Sequence, residues 1–175
     1  SGLQRNLDYL MSNAYSESGA EVVTAGVMEI KTGKILAMST YPSFNPNERN
    51  ISTFNNYFLE GTIECGSVFK PFIYAAALEK GLTLSSVLQD SPISIQKPGQ
   101  PLWQPKNSPD RYDGPMRLRV GLGQSKNMIA IRALQTAGVD FTAEFLQRFG
   151  FKRDQYFASE ALALGAASFT PLEMA

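Results

Sequence analysis

The chain has 175 residues, 43% of them hydrophobic and 18% charged, with a formal net charge of zero; this is the size and balance of one globular domain, not of a disordered segment. No block of like charge favours a nucleic acid or an anionic membrane surface, no apolar run is long enough to span a bilayer, and no stretch reads as a signal peptide. With no histidine and one cysteine, a Ser-His-Asp triad, a Cys-His pair, nearly all zinc sites and an internal disulfide are excluded, so nucleophilic catalysis here would use lysine or a carboxylate as base.

Leu3, Leu7, Leu10 and Ala14 predict an amphipathic helix over residues 3–15, ended by Ser16 to Gly19. Two strand-like runs follow, Glu21–Ile30 and Lys34–Ser39, joined by a hairpin turn at Lys31-Thr32-Gly33. Tyr41 to Asn56, with Pro42, Pro46 and five asparagines, reads as a loop. At Glu64–Phe72 a loop runs straight into a helix. Phe69, Phe72, Ile73, Ala76 and Ala77 form its buried stripe. Pro71 is tolerated only in a first turn, which starts the helix at about Ser67, and Gly81 stops it.

Leu82–Leu88 reads as a short helical or irregular piece. Residues 91–115 carry six prolines and two glycines and predict a long surface excursion, in which Trp103 and Tyr112 pin the loop or line a cleft. Beyond it the helical period returns. Met116–Leu122 is a short helix and Met128–Ala137 a second, ending at Gly138. Asp140 caps a third that runs through Phe149 to Gly150, and Thr170-Pro171 opens a last one.

Two polar constellations stand out. Ser67 falls where helix N–H groups are unpaired and the dipole is positive. Lys70 follows at i+3 on the same face, about 5–6 Å away at Cβ. Phe69 and Phe72 flank the amine, and desolvation there would lower its pKa and make it a base. The alternative is a solvated lysine in an ordinary helix. A second Ser-x-x-Lys, Ser94-Ile95-Gln96-Lys97, lies between Pro92 and Pro98, where no helix brings the groups together. Gln124-Ser125-Lys126-Asn127 is a tight polar corner between apolar helices. Its plain reading is that Ser125 or Asn127 caps the next helix. Another Ser-x-Asn occurs at Ser43-Phe44-Asn45.

In order and context, these pieces resemble the penicillin-binding proteins, the serine D,D-transpeptidases of cell-wall synthesis, whose three motifs are S-x-x-K, S-D-N and K-T-G. Gly66-Ser67-Val68-Phe69-Lys70-Pro71 is similar to the first motif and Ser125-Lys126-Asn127 to the second. Trp103-Gln104-Pro105-Lys106-Asn107, Gly121–Asn127 and Ala163–Ser168 resemble the bifunctional, class A members, whereas Tyr41–Asn47 is more similar to the monofunctional, class B members. Cys65 stands where the family usually has proline, and reads as a small buried residue. Lys31-Thr32-Gly33 has the letters of the third motif but precedes the nucleophile.

The resemblance implies an α+β fold and a single partial transpeptidase domain over residues 1–175. It would comprise the helical subdomain with an N-terminal helix and a β-hairpin of the sheet; the third motif and remaining strands are expected after Ala175. It implies peptidoglycan D,D-transpeptidation through an acyl-enzyme at Ser67, formed with D-Ala-D-Ala stem peptides and with β-lactams. Lys70 would be the base, Ser125 would relay a proton to the leaving amine, and Asn127 would hold the substrate amide. Trp103 and Asn107 would border the cleft, and Lys126 would either tune Lys70 by like-charge repulsion or face solvent. Neither cofactor nor metal is implied. The parent is expected to be membrane-anchored on the periplasmic, extracytoplasmic face of the inner membrane, within a cell-wall synthesis complex. Two other readings use the same residues: a serine β-lactamase, for which no motif supplies a deacylating carboxylate, and a non-enzymatic β-lactam sensor or scaffold.

Overall fold

A computed structural model describes residues 1–43 and 55–175. The loop expected over Tyr41–Asn56 lies mostly outside the described residues, as do much of the Ser43-Phe44-Asn45 motif and most of the class B-like stretch. The chain forms two compact units, residues 1–63 with 169–175, and residues 64–168.

In the first unit, helix α1 (Gly2–Ser18) is capped by the Ser1 side chain, which accepts from the Gln4 N–H, and ends at Gly19. It packs on an antiparallel hairpin of β1 (Val23–Met28) and β2 (Ile35–Tyr41). Leu7 is buried there. The Gln4 amide pairs both ways with the Met38 backbone, Nε2 donating to its oxygen at 2.7 Å and Oε1 accepting from its N–H at 3.2 Å. The expected turn forms: the Thr32 and Gly33 N–H groups both donate to the Glu29 carbonyl, and Gly33 takes φ +70°. The Phe58 ring lies on Gly26, where a Cβ would approach it to 2.2 Å. Thr170 opens a one-turn helix, α6 (Pro171–Met174), through a capping box with Glu173.

The second unit is built around two helices. A single 3₁₀ turn, Gly66–Phe69, leads into α2 (Lys70–Glu79), with Pro71 in its first turn as the sequence demands. Helix α4 (Asn127–Ala137) is the hub, packing against α2, against α5 (Val139–Leu146) and against the 3₁₀ segment Glu160–Leu164. Its Met128, Ile129, Ile131 and Leu134 are wholly inaccessible. Burial of each such side chain is worth about 1.5–3 kcal/mol, so the N-terminus of α4, with Asn127 on it, is firmly placed. Phe69, Phe72 and Phe151 form a ring cluster with centroids 5.0–5.4 Å apart, which fixes the start of α2 from the side.

Two expectations change. Met116 and Arg117, expected in a helix, are not helical: β4 (Gly114–Arg117) pairs antiparallel with β3 (Val87–Asp90), setting Met116 opposite Leu88, and α3 (Leu118–Gly123) begins only after it. A partner strand far away in sequence has overridden a locally helical pattern. Asp140 sits inside the first turn of α5, whose cap position is Gly138. The predicted excursion is the long loop closed by the β3–β4 ladder, with Ile95 and Trp103 bridged inside it. No helix among the described residues is long and apolar enough to cross a membrane.

Candidate active site

The site lies within the second unit. Lys70 is 1% exposed. Its Nζ donates to the Ser125 carbonyl at 2.6 Å, lies 3.0 Å from Ser125 Oγ and donates to Asn127 Oδ1 at 2.7 Å. Burial pulls the amine down to about 8. A hydroxyl can donate as well as accept, so the same geometry serves a charged ammonium or a neutral amine that receives the Ser125 proton. The structure therefore brings together Lys70, Ser125 and Asn127, which come from two distant stretches of chain. Ser67 stands on the 3₁₀ turn just before Lys70, and its carbonyl accepts the Lys70 N–H. Its side chain is exposed and hydrogen bonds to none of the described residues.

The loop that carries Ser67 is laced from one side. The Gly66 N–H donates to the Gly165 carbonyl at 3.2 Å and the Cys65 N–H to the Ala167 carbonyl at 3.0 Å. Gly165 takes φ +77°, and a Cβ there would come within 2.0 Å of the Gly66 carbonyl oxygen. Cys65, expected to be buried, is half-buried.

The Ser125 corner is a Schellman turn ending α3. The Lys126 N–H donates to the Gly121 carbonyl and the Ser125 N–H to that of Leu122, both at 2.9 Å. Such a turn calls for glycine in the left-handed position; here Ser125 occupies it at φ +52°, unique among the described non-glycine residues. The conformation costs an L-residue roughly 1–2 kcal/mol and aims the hydroxyl at Lys70. Ser125→Gly and Ser125→Ala both delete that hydroxyl, but only glycine relieves the strain. Denaturant unfolding is expected to find the glycine variant more stable than the alanine variant by about 1 kcal/mol; equal stabilities would mean that the corner is unstrained.

Neither Ser125 nor Asn127 caps α4. That role falls to Asn107, whose Oδ1 accepts from the N–H groups of Asn127 at 2.9 Å and Met128 at 3.2 Å. Its Nδ2 donates to Asp90 Oδ1 at 2.7 Å and to the Arg111 carbonyl at 2.8 Å. All four hydrogen-bonding positions of this buried amide are filled, so Asn107 supports the corner from behind and has no group left to offer a substrate. Asn127 Nδ2 is held by the Lys106 carbonyl at 2.6 Å.

Lys126 neither faces solvent nor stands unpaired beside Lys70. It is buried, ion-paired to Asp113 at 2.6 Å and to Asp90 at 2.9 Å. The Asp113 hydrogen bond, with that of Asp90, holds its amine above the ordinary lysine value. Burial pushes the Asp90 carboxyl up, but hydrogen bonds from Asn107, Lys126 and the Asp113 N–H outweigh burial and hold it below the usual range. Asp90 and Asp113 escaped the sequence reading because no local pattern marks them; Gly165 stands within the class A-like stretch Ala163–Ser168, but no local pattern marks its contact with Gly66. Trp103 lines a separate cavity of about 230 Å³ with Ile95, Lys97, Pro101 and Glu160; none of Ser67, Lys70, Ser125 and Asn127 borders it.

Residues 23–175 match the family model of the penicillin binding protein transpeptidase domain. The chain is 87% identical to Penicillin-binding protein 1A of Haemophilus influenzae over 120 residues, which is 69% of this chain and 14% of that protein. It is 47% identical to Penicillin-binding protein 1A of Escherichia coli over 146 residues, 83% of this chain and 16% of that one. A crystal structure of Penicillin-Binding Protein 1A from Haemophilus influenzae aligns with a TM-score of 0.74 at 71% identity, covering 87% of this chain and 22% of that chain. The chain thus spans less than a quarter of these relatives, and the mixed helix-and-strand architecture is theirs. With the serine turn, the buried lysine and the strained Ser-Lys-Asn corner in one unit, the chain belongs to the family of penicillin-binding protein transpeptidase domains.

Proposed function

We propose that this chain carries the acylation machinery of a peptidoglycan D,D-transpeptidase. The carrying observation is the buried Lys70 amine, drawn down to about 8 and held between Ser125 and Asn127. In this reading Ser67 Oγ attacks the acyl carbonyl of a D-Ala-D-Ala stem peptide while its proton passes to Lys70 Nζ. The C–N bond to the leaving amine then breaks, and the amine takes a proton through the Ser125 hydroxyl, leaving an ester on Ser67. A β-lactam enters by the same route, with its ring nitrogen as the leaving group. The Ser67 N–H serves as one oxyanion donor. Asn127, anchored through both ends of its amide, orients the substrate backbone. Since the substrate is cell-wall peptide, the site works on the extracytoplasmic face, in a membrane-anchored protein of a wall-synthesis assembly.

The test is covalent. In a full-length 1A-type penicillin-binding protein carrying this chain, a fluorescent penicillin should label Ser67, as read by mass mapping of the labelled peptide. Label at Cys65 or Ser94, or none within this chain, overturns the assignment.

A further inference from the structure

The corner bearing Ser125 and Asn127 is held from outside the three motifs, by Asp90, Asn107 and Asp113, and the hydrogen bonds converge on one group. Asp90, at the end of β3, is wholly inaccessible. Its Oδ1 accepts from Asn107 Nδ2, and its Oδ2 from the Asp113 N–H at 2.9 Å and from Lys126 Nζ at 2.9 Å. Every neighbour is a donor, so the site requires a group that only accepts at both ends. A carboxylate does; an amide, with one NH₂ end, does not. The consequence passes outward through Asn107. Because Asp90 takes the Asn107 NH₂, the Asn107 carbonyl oxygen must point the other way, at the N–H groups of Asn127 and Met128. The second arm reaches Lys126, the residue between Ser125 and Asn127.

We propose that Asp90 is the positioning residue of this site: by orienting the Asn107 amide and anchoring Lys126, it sets where Ser125 and Asn127 stand relative to Lys70. The inference rests on the acylation reading above. It deepens that reading by assigning the reaction a residue that touches neither substrate nor nucleophile.

Asp90→Asn changes one atom and breaks the chain of acceptors. If the new NH₂ takes the Oδ2 place it faces two donors; in the Oδ1 place it forces the Asn107 amide to turn and uncap α4. Displacements of about 1 Å at a reacting centre cost up to about a hundredfold. In a full-length 1A-type protein carrying this chain, two readouts are taken well below the unfolding midpoint. One is the rate of fluorescent-penicillin labelling at saturating drug, the other its final extent. Asp90→Asn should label to the same final extent, tenfold to a hundredfold more slowly. A residue that served stability alone would lower the extent and leave the rate of the folded molecules unchanged, and that result overturns the proposal, as does labelling at the parent's rate. If Asp90→Asn does not fold, Asn107→Ala cuts the relay and keeps the Asp90–Lys126 pair. It should show the same slow labelling, and the parent's rate would overturn the idea. Absence of labelling in the parent protein itself would instead remove the acylation reading.

Discussion

Replacing Lys70 with alanine is expected to slow acylation by a penicillin by roughly 10²–10⁴, the range that a positioned base supplies. The site gives two reasons. The amine is the only group on Ser67's own turn able to take a proton, and it is 1% exposed. Its loss also strands the Ser125 carbonyl and Asn127 Oδ1, both of which accept from it, at about 1–3 kcal/mol for each acceptor that stays buried. The corner then loses order as well as its base. In the parent protein the rate carries a pH signature of known sign. Burial disfavours the charged form, so the reactive neutral amine grows in as pH rises and saturates above about 8. Below that point the rate should fall tenfold per pH unit. The same linkage acts on stability. The cost of an interior charge is fully present below about 8 and is relieved as pH climbs from there towards the unfolded value of 10.5. Stopped-flow labelling between pH 6 and 10 reads the profile. A flat profile, or an alanine variant within threefold of the parent, would place the base elsewhere.

Gly165→Ala should be the most damaging small substitution in the second unit. Its added methyl would meet the backbone of Gly66, the oxygen at 2.0 Å and the nitrogen at 2.6 Å. Backbone cannot swing aside as a side-chain tip can. Left-handed strain at φ +77° costs roughly 1–2 kcal/mol and overpacking roughly 1–3, so the loss is about 2–5 kcal/mol in denaturant unfolding. The displaced Gly66 carries Ser67 with it, so labelling should slow even in the molecules that remain folded. An alanine variant of unchanged stability would mean that this contact is looser than its geometry.

What could be read from the chain beforehand was local. Lys31-Thr32-Gly33 turns the hairpin because a glycine is available at the left-handed position, Thr170-Pro171 with Glu173 writes out its own capping box, and Pro71 fixes where α2 begins. Ser67, Lys70, Ser125 and Asn127 were likewise named from motif order. What escaped depends on partners brought in by folding. Met116 and Arg117 look helical until Val87–Asp90 lies beside them. The cap of α4 comes not from the nearest hydroxyl or amide but from Asn107, far back in the chain. Lys126 invited a comparison with Lys70 because both are cations, yet its carboxylates lie on another strand and another loop. No periodicity encodes such matches.

The Asp90, Asn107, Asp113 and Lys126 network also bears on heredity. These four side chains are a matched set whose codons are spread along the gene between positions 90 and 126, and they meet only in the folded unit. Genetic exchange with a related gene moves contiguous DNA. A crossover inside that interval joins one parent's acceptors to the other's donors, whereas crossovers on either side pass the set on whole. Where relatives differ at these positions, breakpoints within the interval are expected to be rarer among functional recombinants than breakpoints on its flanks.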